Sequence, residues 1–175
     1  HKQIPNHSME KIKAQFVPQF NENGHNEIKN IYYSDEKVVY LTFDDGPGGK
    51  VTNDILDTLK KENVPATFFV IGSEIKGQED ILLRMKDEGH SIGLHSFTHD
   101  RSKLYCNNDG FLNEMIKSQE AIYKVTGEKY NILRFPFGCN NSTYKLTQSL
   151  VDTLHNNNFK IYDWTADTED GANYN

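Results

Sequence analysis

The sequence contains little that would mark a disulfide-rich, membrane-spanning or nucleic-acid-binding protein. Its 175 residues include two cysteines, Cys106 and Cys139, which allow one disulfide bridge or two free thiols but no disulfide framework. The densest apolar run, 66–71, is far shorter than the roughly 20 residues of a membrane-spanning helix. Nineteen basic residues against 25 acidic ones give a net charge of −6, whereas a nucleic-acid-binding domain needs a basic surface. The chain length instead favours one compact domain.

Apolar runs and helical repeats alternate along the chain from about residue 31 onward. Residues 1–30 are polar and contain proline and glycine, so we expect an N-terminal arm or linker before a domain over 31–175. The apolar and β-branched runs predict five strands: 38–43, 66–71, 91–94, 132–135 and 159–164. Helical spacing predicts four helices between them: 51–62, one around 81–85 closed by Gly89, 111–125 ended by Gly127, and one capped by Ser142 that carries Leu146, Leu150 and Leu154. This alternation predicts a parallel α/β sheet, either an incomplete barrel or an open doubly wound sheet.

Six polar residues lie at or just past the carboxyl ends of four predicted strands. They are Asp44, Asp45, His95, His99, Arg134 and Asp167. In parallel α/β barrels and sheets the carboxyl ends of the strands share one rim, and catalytic residues are placed there. The sequence therefore predicts a single functional site at this rim.

Each of these features, taken alone, also has an ordinary structural explanation. Residues 44–47 have the composition of a turn, and 167–170 could be an acidic solvated loop. Arg134 could form a surface ion pair or orient a carboxylate at the rim. The H-x-x-x-H spacing of His95 and His99 predicts that both imidazoles face one side of a helical turn and so reach one metal ion. The combination at one rim, rather than any single feature, indicates a site.

In chain order, these residues form motifs that resemble those of the polysaccharide deacetylases, the family 4 carbohydrate esterases built on the NodB homology domain. The matching segments are Thr42-Phe43-Asp44-Asp45-Gly46-Pro47, His95-Ser96-x-x-His99, Arg134-Phe135-Pro136-Phe137-Gly138 and Asp167-x-x-Asp170. The similarity covers about residues 38–171. It implies a distorted (β/α) barrel with a deacetylase site that depends on a divalent metal ion, usually zinc.

The resemblance also implies a role for each motif residue. Three residues would ligate the metal ion: Asp45, His95 and His99. Asp44 would be the general base, Arg134 would hold it, and Asp167 would be the acid of the fourth motif, which tunes a catalytic histidine. Two imidazole nitrogens and one carboxylate oxygen are suitable zinc ligands, and three protein ligands leave a coordination position open.

The sequence departs from the family pattern in two places. Family members carry a further Leu-x-His motif, whose histidine protonates the leaving amine, and no such motif follows Asp167. We therefore expect this chain to end before the last strand or strands of the barrel. Gly171 follows Asp170 where the family usually has tryptophan, and the nearby Trp164 is not assigned that role.

The motifs leave three functions open. The first is removal of N-acetyl groups from a GlcNAc-containing polysaccharide, with cell-wall peptidoglycan ahead of chitin-like oligomers and poly-N-acetylglucosamine. The second is O-deacetylation of acetylxylan, because an ester needs less help with its leaving group than an amide does. The third is a carbohydrate-binding domain without catalysis, which the complete ligand set argues against. A polysaccharide substrate implies an extracellular or cell-wall location, with the protein either secreted or tethered through the polar N-terminal arm.

Overall fold

Five short parallel strands carry the architecture of the protein. The computed structural model describes residues 39–139 and 144–168. Within these ranges the strands are β1 (Thr42–Gly46), β2 (Thr67–Val70), β3 (Ser91–Leu94), β4 (Ile132–Leu133) and β5 (Lys160–Ile161). The helices are α1 (Gly49–Glu62), α2 (Glu79–Asp87), α3 (Arg101–Leu104), α4 (Asn108–Thr126) and α5 (Gln148–Asn156), with a 3₁₀ turn at Gly72–Ile75. The predicted N-terminal arm, 1–30, lies outside the described residues.

The strands pair in chain order, β1-β2-β3-β4-β5, and every pair is parallel. The predicted parallel α/β sheet is therefore confirmed. A doubly wound sheet reverses its strand order partway, whereas this sheet winds in one direction, as a barrel does. One side chain shows that the sheet is curved: Arg134, directly after β4, donates a hydrogen bond to Thr42 on β1, three strands away.

Strands β2 and β3 bury side chains on both of their faces. Phe68 and Val70 belong to the core between the sheet and the helices. Because consecutive strand residues alternate between faces, Phe69 and Gly93 lie on the opposite, concave side. A Cβ atom on Gly93 would lie 2.5 Å from the Phe69 ring, so the glycine provides the space that the ring occupies. The Arg134 guanidinium lies 4.2 Å from the centroid of the same ring, which places Arg134 inside the curved sheet.

The helices pack on the convex face of the sheet through apolar stripes. The buried side chains of these stripes include Leu56, Leu59, Leu82, Met85, Met115, Ile122, Leu150 and Leu154. The longest helix, α4, begins after Asn107, whose side chain accepts a hydrogen bond from the Gly110 N–H at 2.8 Å. It ends at Gly127, as predicted, with a left-handed φ of 71°. No helix in the described part of the chain is long and apolar enough to cross a membrane.

The predicted bounds of the outer strands are wrong in informative ways. β1 begins at Thr42 rather than at residue 38, and it continues through Gly46. Val39 and Tyr40 are 85% and 68% exposed, since they precede the first residue of β1 that pairs with β2. The two aspartates predicted to follow this strand therefore lie within its last residues. β4 and β5 are only two residues long, shorter than the apolar runs that predicted them.

The last helix also begins later than its leucine spacing predicts. Thr147 caps α5, because its Oγ1 accepts a hydrogen bond from the Leu150 N–H at 3.3 Å. Leu146 thus precedes the helix, and the predicted cap Ser142 lies outside the described residues. Helix α3 and the 3₁₀ turn were not predicted, because four residues are too few for a periodic apolar pattern.

Candidate metal centre

β1 delivers two adjacent carboxylates to the rim because its end is irregular. Side chains of consecutive strand residues normally point to opposite faces, which would separate Asp44 from Asp45. The pairing of β1 with β2 shifts register between Asp44 and Gly46, and Asp45 has a left-handed φ of 69°. Such a bulge re-aims one side chain, and backbone strain of this kind is concentrated at functional sites. Asp44 keeps the concave direction of its strand, while Asp45 turns toward the histidines.

The two histidines lie on a loop after β3, so the predicted helical turn is wrong. The His95 N–H still pairs with the Val70 carbonyl of β2 at 2.9 Å, as in a strand. Ser96 and His99 then adopt left-handed φ angles of 68° and 55°, and the His99 N–H donates a hydrogen bond to Ser96 Oγ at 2.9 Å. This tight bend brings both imidazoles to one side without a helix, and their ring centroids lie 5.2 Å apart.

Three potential ligand atoms from these two segments converge on one point. Asp45 Oδ1 lies 3.3 Å from His95 Nε2 and 3.2 Å from His99 Nε2, and the three atoms all lie within 4.8 Å of one another. Two ligands at the usual zinc–nitrogen distance of about 2.1 Å in a tetrahedral site are about 3.4 Å apart. The structure thus brings the three predicted ligands together at a spacing that fits a small divalent ion.

His95 is oriented by a hydrogen bond at its other ring nitrogen. Nδ1 lies 3.0 Å from the Arg134 carbonyl oxygen, so Nδ1 carries a proton and donates it. In the neutral ring, Nε2 then presents a lone pair toward Asp45, and two acceptors facing each other at 3.3 Å need a cation or a proton between them. The His95 side chain is only 3% exposed. The donor set and its surroundings therefore fit a bound metal ion.

Arg134 holds Asp44 from across the concave side of the sheet. Its Nη1 donates hydrogen bonds to Asp44 Oδ1 at 2.9 Å and to Thr42 Oγ1 at 2.7 Å. Its Nε donates to the carbonyl of Tyr162 at 3.3 Å, and its guanidinium stacks on Phe69. A buried charge is tolerated when its donors are paired in this way, and Arg134 is 4% exposed. The Asp44 carboxylate is therefore fixed beside the three potential ligands without being one of them.

Local electrostatics put the potential ligands in the states that bind metal. The contact of Asp45 with His95 Nε2, where a proton or a cation lies between the two atoms, lowers the pKa of the Asp45 carboxyl, although burial opposes this effect. Burial lowers the pKa of the His99 imidazole, although the charge of Asp45 opposes it. At neutral pH Asp45 is consequently an anion and His99 is neutral, and these are the forms in which carboxylates and imidazoles ligate metal ions.

Aromatic rings line the rim next to His99. The Phe137 ring lies 4.6 Å from the His99 ring. The guanidinium of Arg101, on α3, lies 3.9 Å from the centroid of the Phe137 ring. Trp164, after β5, packs over Gly138, where a Cβ atom would lie 3.1 Å from its ring. Phe137 and Trp164 are both 37% exposed. The sequence did not single out Arg101, because its short helix was not recognised.

Asp167 is not among the residues that converge with the histidines. It lies in the exposed segment that follows β5, and its catalytic role remains a prediction. The other acid of the fourth motif, Asp170, and the departure at Gly171 lie outside the described residues.

The two cysteines are free thiols, Cys106 exposed and Cys139 buried. Asp163 Oδ2 accepts hydrogen bonds from Cys139 Sγ at 2.8 Å and from the Cys139 N–H at 3.4 Å. Burial raises the pKa of the Cys139 thiol, so it stays protonated and acts as a donor. This contact ties the segment after β4 to the segment after β5, and no pattern in the sequence predicted it.

Sequence comparison agrees with the geometry of the site. Residues 32–160 match the family described as polysaccharide deacetylase. The chain is 42% identical over 136 residues to a peptidoglycan-N-acetylglucosamine deacetylase of Bacillus cereus, and this match covers 78% of the chain and 48% of that protein. The chain thus spans about half the length of this curated relative.

Solved structures share the fold described above. The crystal structure of the polysaccharide deacetylase Bc1974 from Bacillus cereus aligns with a TM-score of 0.68 at 42% identity, covering 74% of this chain and 61% of that one. A CE4 esterase of Streptococcus mutans aligns with a TM-score of 0.74 at 31% identity, covering 85% and 64%. The five-stranded parallel sheet corresponds to part of their NodB-type distorted barrel. This chain belongs to the polysaccharide deacetylase family.

Proposed function

We propose that this chain carries the catalytic site of a metal-dependent hydrolase that removes N-acetyl groups from a GlcNAc-containing polysaccharide, with cell-wall peptidoglycan as the substrate. The observation that carries the proposal is the convergence of Asp45, His95 and His99 beside an Asp44 that Arg134 holds. The name of the Bacillus cereus relative supports the choice of substrate. Zinc is the proposed ion, because two imidazoles and one carboxylate are a common set of catalytic zinc ligands.

The neighbouring aspartates divide the chemistry between them. A divalent ion held by Asp45, His95 and His99 would supply Lewis acidity toward the acetyl carbonyl and would lower the pKa of water. Asp44 accepts the proton of the attacking water, with its carboxylate oriented by the hydrogen bond from Arg134 to Oδ1. The water oxygen bonds to the carbonyl carbon, the carbon–nitrogen bond breaks as the nitrogen takes up the proton that Asp44 accepted, and acetate and a free amine are released. Arg134 contributes by holding the base in one position, which lowers the entropic part of the activation free energy.

The rim offers a surface for the sugar that carries the acetyl group. Phe137 contacts His99, and Trp164 packs on the neighbouring Gly138; both rings are partly exposed, and ring faces pack well against the apolar face of a pyranose. With a polysaccharide substrate of this kind, we propose an extracellular or cell-wall location, with the protein either secreted or tethered through its N-terminal segment.

Acetate release by the full-length protein tests this function. We expect acetate from peptidoglycan and from GlcNAc oligomers, loss of release with a chelator, and recovery when zinc is restored. The matched control is Glu120→Ala, which removes an exposed carboxylate of α4 and should leave release unchanged. Acetate release from acetylxylan, but not from peptidoglycan or GlcNAc oligomers, would show that the protein removes O-acetyl rather than N-acetyl groups. A metal-loaded protein that binds these glycans but releases no acetate would instead be a carbohydrate-binding domain.

A further inference from the structure

The histidine loop, 95–99, is held in place by the 3₁₀ turn that follows β2. The Gly72 N–H donates a hydrogen bond to the Ser96 carbonyl at 3.0 Å, and the Ser73 N–H donates one to the Phe97 carbonyl at 2.9 Å. A Cβ atom on Gly72 would lie 2.6 Å from the Phe97 ring and 3.0 Å from the backbone of α4. The loop therefore fits closely between the 3₁₀ turn and α4.

A buried carboxylate holds the last part of this loop. Glu114 Oε2, on α4, accepts hydrogen bonds from the Thr98 N–H at 2.8 Å and from Thr98 Oγ1 at 2.7 Å. Glu114 is 3% exposed, and burying a carboxylate is costly unless its oxygens are hydrogen-bonded. Among the described residues, both hydrogen bonds of Glu114 go to Thr98. The Glu114 side chain thus holds the histidine loop at Thr98.

His99 is the ligand whose position depends most on its loop. His95 is fixed by strand pairing and by the Arg134 carbonyl, and it is almost fully buried. His99 has a 25% exposed side chain and a left-handed φ of 55°, a conformation that costs free energy for a residue other than glycine. Thr98 directly precedes it, so the two hydrogen bonds to Glu114 stabilise the backbone from which the His99 imidazole projects.

We propose that Glu114 is a positioning residue for the metal centre, which acts through Thr98 to set the direction of the His99 imidazole. This inference rests on the metal-dependent function proposed above. One oxygen of Glu114 accepts hydrogen bonds from both the N–H and the hydroxyl of Thr98, so it holds the backbone and the side chain of the residue that precedes His99. The removal of supporting groups around metal ligands typically costs 10- to 100-fold in metal affinity.

Metal binding by the apo protein tests the inference without any assay of turnover. Zn²⁺ affinity is measured by competition with a chromophoric chelator, and ligand geometry is followed through the visible absorption of bound Co²⁺. We expect Glu114→Ala to lower Zn²⁺ affinity by about 10- to 100-fold and to alter the Co²⁺ spectrum. Glu114→Gln keeps one acceptor oxygen and replaces the other by an NH₂ group, so its Zn²⁺ affinity should lie between those of Glu114→Ala and the wild type. Glu120→Ala is the control on the same helix and should change neither readout.

Two further variants separate positioning from folding. Thr98→Val removes the hydroxyl donor but keeps the backbone N–H, so we expect a smaller loss of affinity than for Glu114→Ala. The double variant with Thr98→Val and Glu114→Ala should bind Zn²⁺ only slightly more weakly than Glu114→Ala, because both changes remove the same contact. If Glu114→Ala does not fold, Glu114→Gln and Thr98→Val carry the test.

Two results would contradict the inference, and they are distinguishable. Folded Glu114 variants with wild-type Zn²⁺ affinity and an unchanged Co²⁺ spectrum would make Glu114 a purely structural residue, while the proposed function stands. A wild-type protein that binds neither Zn²⁺ nor Co²⁺ would overturn the proposed metal-dependent function and this inference with it.

Discussion

At the scale of single residues, one backbone torsion gives two neighbouring aspartates different surroundings. The left-handed φ of Asp45 turns its carboxylate toward the histidines, whereas Asp44 stays with Arg134. Aspartate adopts this conformation more readily than most residues, so the sequence is compatible with the bulge but does not predict it. Proximity of the two side chains could be predicted from the motif, but their separation into ligand and base depends on the fold.

The division of roles predicts the effect of Asp44→Asn. The asparagine amide oxygen can still accept the hydrogen bond from Arg134, and the three ligands are untouched. We expect the variant to bind one metal ion per chain and to lose turnover by about 10²- to 10⁴-fold, because only the base is removed. Metal content by atomic absorption and acetate release measure the two effects. Loss of the metal together with turnover would show that Asp44 is itself a ligand.

A histidine remote from the metal ligands predicts how stability depends on pH. His90 Nδ1 accepts a hydrogen bond from the Ala66 N–H at 3.2 Å, and its ring packs edge-on against Phe68. Burial lowers the pKa of His90 below its usual 6.5, so His90 binds a proton less readily in the native protein than in the unfolded chain. The free energy of unfolding should therefore fall as the pH drops below about 6.5, and this loss should level off below the native pKa.

Urea unfolding between pH 7.5 and 5 measures this dependence. We expect the free energy of unfolding to change less steeply with pH in His90→Gln than in the wild type, whatever the difference between them at neutral pH. Equal slopes would show that His90 does not contribute.

At the scale of elements, the 3₁₀ turn after β2 controls the histidine loop. Gly72→Ala would force its Cβ atom against Phe97, and overpacking of this kind costs about 1–3 kcal/mol. We expect lower thermal stability and weaker Zn²⁺ binding, because Phe97 lies between the two histidine ligands. Ser73→Ala is the matched control, since it keeps the N–H that holds Phe97 and adds no atom. Wild-type metal affinity in Gly72→Ala would show that the loop adjusts without disturbing the site.

The elements that could be predicted are those with long periodic patterns. The spacing over 111–125 correctly indicated α4, and 91–94 matches β3, whereas the four-residue turns on either side of the site left no signal. The H-x-x-x-H spacing fits both a helical turn and a tight bend, and only the left-handed torsions decide between them. Glu114 was missed because a charged residue in an amphipathic helix is normally solvent-exposed. Its burial depends on a loop that is distant in sequence.

At the scale of the whole molecule, Arg134 joins the first strand of the sheet to the last two. It follows β4, bonds to Thr42 and Asp44 on β1, and bonds to the Tyr162 carbonyl just after β5. The parallel strands could be predicted from the alternation of strands and helices, which left the strand order open between a barrel and a doubly wound sheet. The closeness of β1 and β4 could not, because it depends on the curvature of the sheet.

This bridge predicts that Arg134→Met damages stability and activity together. Removing one partner of a largely buried ion pair costs about 3 kcal/mol, and the general base would lose its support. Arg84→Met is the control, because Arg84 forms a partly exposed ion pair with Asp57 and Glu88 that should contribute at most about 1 kcal/mol. Urea unfolding and acetate release compare the two variants. Equal losses of stability would show that Arg134 is no more important to the fold than a surface arginine.

The central claim is that one divalent ion binds between Asp45, His95 and His99. Crystals grown with zinc and measured at the zinc absorption edge test it most directly. We predict one strong anomalous peak about 2.0–2.2 Å from a carboxylate oxygen of Asp45 and from Nε2 of both histidines. We also predict that His99→Ala, measured in the same way, lacks this peak. An absent peak in the wild type, or one ligated by other side chains, would contradict the account.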